Sequence, residues 1–267
     1  LQNSGLNSPF GLTGEVTGIA ATTITLDVAY SAGAGATTGI VFAITRTIVG
    51  DGIRYYNAAI WRNFSPPLSS ATTPDYLFGA KILLAFKGRL LALNTVERPF
   101  AGGGAIYRQR CRWSQNGTPF YATSATSATV AESWHSGVAD IGKGGYIDAP
   151  TDEAIVTAQF VQSRLIVYFE RSTWEILYTG NEILPFLWKK INVELGCEGT
   201  FSEIAFDDGV VGVGQRGIHA ANSSMVKRID EKIPDFTEKI NNANDGPQRV
   251  YGIRNFDKEI VLWTYPS

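Results

Sequence analysis

Apolar residues fall at alternate positions through the first fifth of this chain, and short apolar runs bounded by turn residues take over beyond it. In 13–48, Val16, Ile19, Ile24, Leu26 and Val28 punctuate a Thr-rich stretch. Thr-Ile-Thr-Leu-Asp-Val at 23–28 alternates polar with apolar, which predicts a strand with one wet face. Residues 31–39, with Gly33-Ala34-Gly35-Ala36 at their centre, read as a long hairpin tip before a second apolar run at 40–44. Residues 1–50 are therefore expected to form an N-terminal β-hairpin region.

After Pro66-Pro67 a strand–turn–strand pattern recurs. Its copies are 85–93 (Ala-Phe-Lys-Gly-Arg-Leu-Leu-Ala-Leu), 159–168 (Gln-Phe-Val-Gln-Ser-Arg-Leu-Ile-Val-Tyr), 205–213 (Ala-Phe-Asp-Asp-Gly-Val-Val-Gly-Val) and 255–263 (Asn-Phe-Asp-Lys-Glu-Ile-Val-Leu-Trp). In each, an aromatic precedes a polar or glycine turn, and three or four β-formers follow. Aligned on Leu90, Leu165, Val210 and Ile260, the two later intervals are close to the length of one four-stranded propeller blade, about 40–50 residues. The first interval is longer, and the irregular polar stretch at about 113–150 supplies an insertion to account for it. Residues 51–267 are thus expected to be the blades of an all-β, β-propeller fold, incomplete or carrying insertions. A β-sandwich is the alternative, although its strands recur every 8–12 residues without a longer period. One segment departs from strand patterning: Ile233, Phe236 and Ile240 are spaced helically, with Pro234 suited to an early helical position. A short helix is expected near 231–241.

Composition sharpens this picture. Charged residues make up 18% of the 267, below the roughly 25% usual for globular chains, while glycine and aromatics are plentiful. The net charge of -2 supplies no broad positive field for gripping nucleic acid. Cys111 and Cys197 lack disulfide-scaffold or metal spacing and read as free thiols, a single bridge being the minority alternative. No run of signal-peptide or membrane length is present, so no membrane anchor is expected. The chain begins Leu-Gln-Asn-Ser without a Met, as a processed chain or part of a longer one would.

Several constellations invite chemistry, and each has a plainer account. Gly212-Val213-Gly214-Gln215-Arg216-Gly217 matches the dinucleotide fingerprint, but that motif needs a helix directly after it. Here Ile218 to Ser224 has no helical period, so a glycine-rich strand and turn is expected. His135 and His219 are too few for a multi-histidine metal site. His219 reads as a half-buried strand residue, and His135 as part of a loop anchored by Trp134, near Glu132. The carboxylate pairs Asp152-Glu153 and Asp207-Asp208 fall at turns, where Asp is routine, although a glycosidase would need two facing each other. Asn63, Asn116 and Asn222 begin N-x-[ST] triplets short enough to arise by chance. Trp61, Trp113, Trp134, Trp174, Trp188 and Trp263 could stack sugars, but a Trp per module is more often a packing anchor. No catalytic residue, cofactor site or metal site is expected, and the chain does not read as an enzyme.

The order of motifs over 154–263 carries a resemblance. Ser163-Arg-Leu-Ile-Val-Tyr-Phe169, Ser172-Thr-Trp-Glu-Ile-Leu-Tyr178, Ile191-Asn-Val-Glu-Leu-Gly196 and Gly199-Thr-Phe-Ser202 come first. Gln215-Arg-Gly-Ile-His-Ala-Ala-Asn222, Val226-Lys-Arg-Ile-Asp-Glu-Lys-Ile233, Arg249-Val-Tyr-Gly-Ile-Arg-Asn255 and Glu259-Ile-Val-Leu-Trp263 follow. This succession resembles the β-propeller proteins of tailed-phage tails and necks, of the packaged-DNA stabilisation or tail tubular (nozzle) type. The resemblance implies a non-enzymatic virion structural protein, with copies of itself in a ring, neighbouring tail or portal-complex proteins on either side, and DNA met only in passage through a channel. It also implies a virion location. Residues 113–150 and the N-terminal hairpin are the expected inter-subunit contacts. The competing expectation is a carbohydrate-binding or carbohydrate-cleaving propeller used in host recognition.

Overall fold

The structure is a computed structural model and describes residues 16–20, 23–26, 52–56, 58, 60–99, 103–120, 132–137, 142–222, 225–233, 237–243 and 245–267. The chain divides into two compact units, 1–51 and 52–267. In the first unit, β1 (Val16–Ala20) pairs antiparallel with β2 (Thr23–Leu26), with a register shift between Val16 and Gly18. The hairpin tip expected at 31–39 and the strand expected at 40–44 lie outside the described residues.

The second unit is all-β and antiparallel. It opens with a hairpin of β3 (Arg54–Tyr56) and β4 (Trp61–Asn63). Three four-stranded meanders follow. Sheet I contains β5 (Tyr76–Phe86), β6 (Arg89–Arg98), β7 (Ala105–Trp113) and β8 (Gly145–Asp148). Sheet II contains β9 (Ile155–Val161), β10 (Arg164–Phe169), β11 (Thr173–Tyr178) and β12 (Phe186–Asn192). Sheet III contains β13 (Ile204–Ala205), β14 (Val210–Gly214), β15 (Gly217–Ala221) and β16 (Val226–Arg228). A last hairpin joins β17 (Tyr251–Asn255) to β18 (Ile260–Thr264). In every sheet the strands pair in chain order, and none closes on itself.

All four copies of the recurring motif occupy one structural position, the turn from the first to the second strand of a module. The chemistry of the turns explains why. Lys87 and Gly88 both have positive φ, 50° and 75°, as a two-residue type I′ hairpin requires. Gln162 (φ 54°) and Glu259 (φ 49°) take the same left-handed region in the second and fourth copies.

The sheets stack in series, and each buries both faces. In β10, Leu165, Val167 and Phe169 face sheet I, where they join Leu91, Leu93, Cys111 and Trp113. The alternate residues Ile166 and Tyr168 face sheet III with Val210, Ala221 and Val226. Sheet I covers its far face with Phe64, Leu68 and Trp134 around Leu77 and Ala92. Sheet III packs Val213 and Ile218 against Ile240, Val250 and Trp263. Two-sided burial is why these strands read as continuous apolar runs rather than strict alternation. First strands adjoin in succession, β5 against β9, β9 against β13 and β13 against β17. Side chains bridge the joints as well. Asn94 Nδ2 donates to Ile155 O at 3.0 Å, Trp188 Nε1 to Ile147 O at 3.3 Å, and Trp263 Nε1 to Ser202 O at 2.9 Å.

Two expectations need correction. Among the described residues of 231–241, the expected short helix is a 3-10 turn at Thr237–Lys239. A segment this short cannot propagate an α-helix, and Ile240 is committed instead to the core beneath sheet III. The stretch at 113–150 is not wholly an insertion: Trp113 ends β7 and Gly145–Asp148 is β8. The first motif interval is long because the β7–β8 connection is long.

Candidate functional site

The densest cluster of reactive side-chain types lies between sheets II and III. Glu203, just before β13, reaches His219 of β15, with Oε1 3.2 Å from Nε2 and both residues nearly inaccessible. The Tyr168 ring, from β10, sits 5.6 Å from the His219 ring. Cys197 Sγ lies 3.1 Å from Gly199 O and 3.2 Å from Ser202 Oγ, and its thiol also faces the Glu203 carboxyl.

Glycines create the room for this cluster. Gly212 stands directly across the strand pair from His219, and a Cβ there would overlap the Glu203 carboxylate. Gly217 has φ 126° and lies against Asp230, where a side chain would collide with the carboxylate. The glycine fingerprint at 212–217 is therefore the end of β14, a two-residue turn at Gln215-Arg216 and the start of β15. No helix follows to present its N-terminus to a phosphate. Packing, rather than phosphate approach, accounts for its glycines.

Burial favours the neutral forms of Cys197 and Tyr168. Burial pushes the Cys197 thiol well up, and the nearby Glu203 carboxylate adds to the rise. Burial does the same to Tyr168. A cysteine nucleophile needs its thiolate and an access path. Cys197 is buried, and among the described residues no hydrogen bond joins it to His219. The pairing of Glu203 with His219 escaped the sequence, where they lie sixteen residues apart. The one available signal was Gly212, whose missing side chain sits opposite His219.

A second polar cluster staples sheet I internally. Glu97 accepts from Thr95 Oγ1 (2.9 Å), Arg112 Nε (2.9 Å) and Arg110 Nη1 (3.1 Å). Arg110 also grips Asp148 with two bonds of 2.8 and 2.9 Å. Its guanidinium lies 3.5 Å from the Tyr107 ring centre and 3.9 Å from that of Tyr146. These residues link β6, β7 and β8, and Arg112 Nη1 also donates to Ser136 Oγ in the β7–β8 connection at 3.3 Å.

Where the modules converge, a polar cleft of about 430 Å³ is lined by Lys81, Glu170, Arg171, Glu198, Gln215 and Asp245 among others. Burial raises Glu198 above the usual carboxylate range. The carboxylate pairs named from the sequence do not meet. Glu153 lines a neighbouring cleft with Glu170 and Arg216, and Asp208 lines an apolar groove beside Met225. Glu153 is engaged locally, accepting from the Arg171 amide at 2.9 Å and Ser172 Oγ at 3.1 Å.

Trp113, Trp134 and Trp174 are buried, and Trp188 and Trp263 pack against cores. Trp61 is 69% exposed, its ring 5.5 Å from that of Tyr56. His135 is buried beside Trp134. Asn63, Asn116 and Asn222 are exposed, and Asn222 Oδ1 accepts from the Met225 amide at 2.9 Å. Cys111 and Cys197 are both free and buried. Among the described residues, no group of three or more His, Cys, Asp or Glu could hold a metal ion. No helix there is long and apolar enough to cross a membrane. No protein-family model matches the chain, and no significant match exists among curated proteins.

Proposed function

We propose that this chain is a non-enzymatic structural protein of a tailed-phage virion, an open β-propeller of the tail or neck through which DNA is retained and ejected. The observation that carries the propeller is the serial contact of first strands, β5 to β9 to β13 to β17, with each four-stranded meander buried on both faces. A two-sheet sandwich has one shared core, whereas this unit has a separate core at every joint. The phage assignment rests on the order of motifs over 154–263. The structural role is supported by where the reactive groups lie. The Cys197–Glu203–His219 cluster is buried in a joint, with Cys197 in the wall of the polar cleft, the arginine–carboxylate cluster is bonded within sheet I and to Ser136, and no Trp lines the three clefts described above.

Mass spectrometry of purified particles, followed by cryo-electron microscopy of the tail, tests this reading. The chain is expected at fixed stoichiometry in a ring. Its absence from particles would end the proposal. Glycan-array binding abolished by Trp61→Ala would turn the reading toward carbohydrate recognition.

A further inference from the structure

Among the described residues, the two ends of the stacked unit are each half a module. Sheets I to III have four strands apiece, whereas β3–β4 and β17–β18 have two. The last hairpin covers one face on sheet III through Gly252 and Trp263. Its other face presents Tyr251 (52% exposed), Ile253 (57%), Ile260 (44%) and Leu262 (56%). Phe201, with its ring 6.1 Å from that of Tyr251, extends the patch. Contiguous apolar exposure of this kind marks an interaction surface more than scattered single residues do.

The edge of this hairpin is equally unusual. The completed sheets finish on protected strands: β8 is four residues long, β12 carries Lys189 and Lys190 and a register shift, and β16 is three residues with Lys227 and Arg228. Such short, charged or irregular edges resist strand addition. Strand β18 reads Ile-Val-Leu-Trp-Thr, has no lysine, proline or bulge, and pairs in perfect register with β17. It has the composition of the second strands β6 and β10, which are paired on both sides.

At the opposite end, β3–β4 presents Tyr56 (56%) and Trp61 (69%), with Ile60 (53%) in its turn. The charges differ in sign. The hairpin at 54–63 contains Arg54 and Arg62 and no carboxylate, with Asp51 and Asp75 beyond it in sequence, whereas Asp207, Asp208, Asp257 and Glu259 surround the last hairpin, with Lys258 and Arg254 as the nearby cations. We infer that β17–β18 of one copy docks on β3–β4 of a second copy, so that two half-modules complete a four-stranded sheet across the subunit boundary. The contact is head-to-tail, and such contacts generate rings when the rotation closes and filaments when it does not. The inference deepens the structural reading above by naming the assembling surface, and it stands on the hairpins alone.

The test is sedimentation velocity on the full chain from about 1 to 100 µM, with Trp61→Asp and Leu262→Lys as the two end variants. Both sites are exposed, and circular dichroism confirms folding; Tyr56→Asp and Ile253→Lys replace either variant that loses its fold. The wild-type chain is expected to form oligomers larger than dimers that weaken as salt rises. Each variant alone is expected to be monomeric. An equimolar mixture is expected to form dimers and stop there, because it holds one intact head and one intact tail. Ile183→Lys, at an exposed site in the β11–β12 turn, is expected to assemble as the wild type does. A monomeric wild type, or a Trp61→Asp variant that assembles normally, overturns the inference. Either result leaves the virion reading to the particle experiment.

Discussion

Strands β10 and β18 occupy the same place in their modules and have nearly the same apolar character, yet their surroundings differ completely. Leu165, Ile166, Val167, Tyr168 and Phe169 are all 0% exposed, whereas Ile260 and Leu262 are 44% and 56% exposed. Both follow the same aromatic–turn motif and both pair antiparallel with a first strand. What separates them is company. Strand β10 has β11 on its free edge and a neighbouring sheet on each face, while among the described residues β18 has neither a third strand nor an outer neighbour. A second-strand sequence thus specifies what a strand is built to contact, and the rest of the assembly determines whether it does.

The largest expected effect sets these two strands against each other. Leu165→Ala removes a side chain that is fully enclosed and is expected to cost about 2–5 kcal/mol. Leu262→Ala is expected to stay within roughly 0.5 kcal/mol in the isolated chain. Urea unfolding midpoints at low protein concentration measure both. Equal losses would mean that β18 is already covered within one chain, and the contrast would fail.

That contrast also marks how far the sequence reaches. The four motif copies were legible because a turn flanked by an aromatic and β-formers is a local signal, and all four became the same hairpin. The modules' spacing was legible except where the β7–β8 connection hid the fourth strand of sheet I, since Gly145–Asp148 is short and follows a polar stretch. Of the helix expected near 231–241, the described residues form a 3-10 turn at Thr237–Lys239, with Ile240 in the core and Ile233 exposed. The reactive cluster was not legible, because Cys197, Glu203 and His219 are brought together by the stacking of sheets II and III. Nothing in their local sequence marks that stacking.

Ion pairs repeat the comparison with the next largest effect. Glu97 holds two guanidiniums inside sheet I, its side chain 5% exposed, whereas Glu259 meets Arg254 at 2.6 Å on the last hairpin, its side chain 61% exposed. Glu97→Gln leaves Arg110 and Arg112 without their shared carboxylate, and about 3–5 kcal/mol is expected. Glu259→Gln is expected to cost about 0–1 kcal/mol. Thermal unfolding of the two variants in parallel checks the ranking.

Gly212→Ala probes the joint between sheets II and III. The added methyl overlaps the Glu203 carboxylate and forces it off His219, at an expected cost of about 1–3 kcal/mol. The His219 ring protons, followed by NMR, report the displacement. An unchanged spectrum and midpoint would show that Glu203 can move without loss, and that the glycine there serves something other than this pair.

The smallest effect has the opposite sign. The Tyr168 hydroxyl is buried and has no hydrogen-bond partner among the described residues, so Tyr168→Phe is expected to stabilise the chain by about 1 kcal/mol at neutral pH. The same burial raises both Tyr168 and Cys197 in the folded state, so the folded chain holds these protons to higher pH than the unfolded chain does. Their contribution is complete below the unfolded values, about 8.5 for a thiol and 10 for a phenol, and is lost as pH rises past them. Urea midpoints are therefore expected to fall above about pH 8.5, and less steeply above 10 in Tyr168→Phe than in the wild type. A Tyr168→Phe variant less stable at neutral pH would show that the hydroxyl does have a partner, and that the joint depends on it.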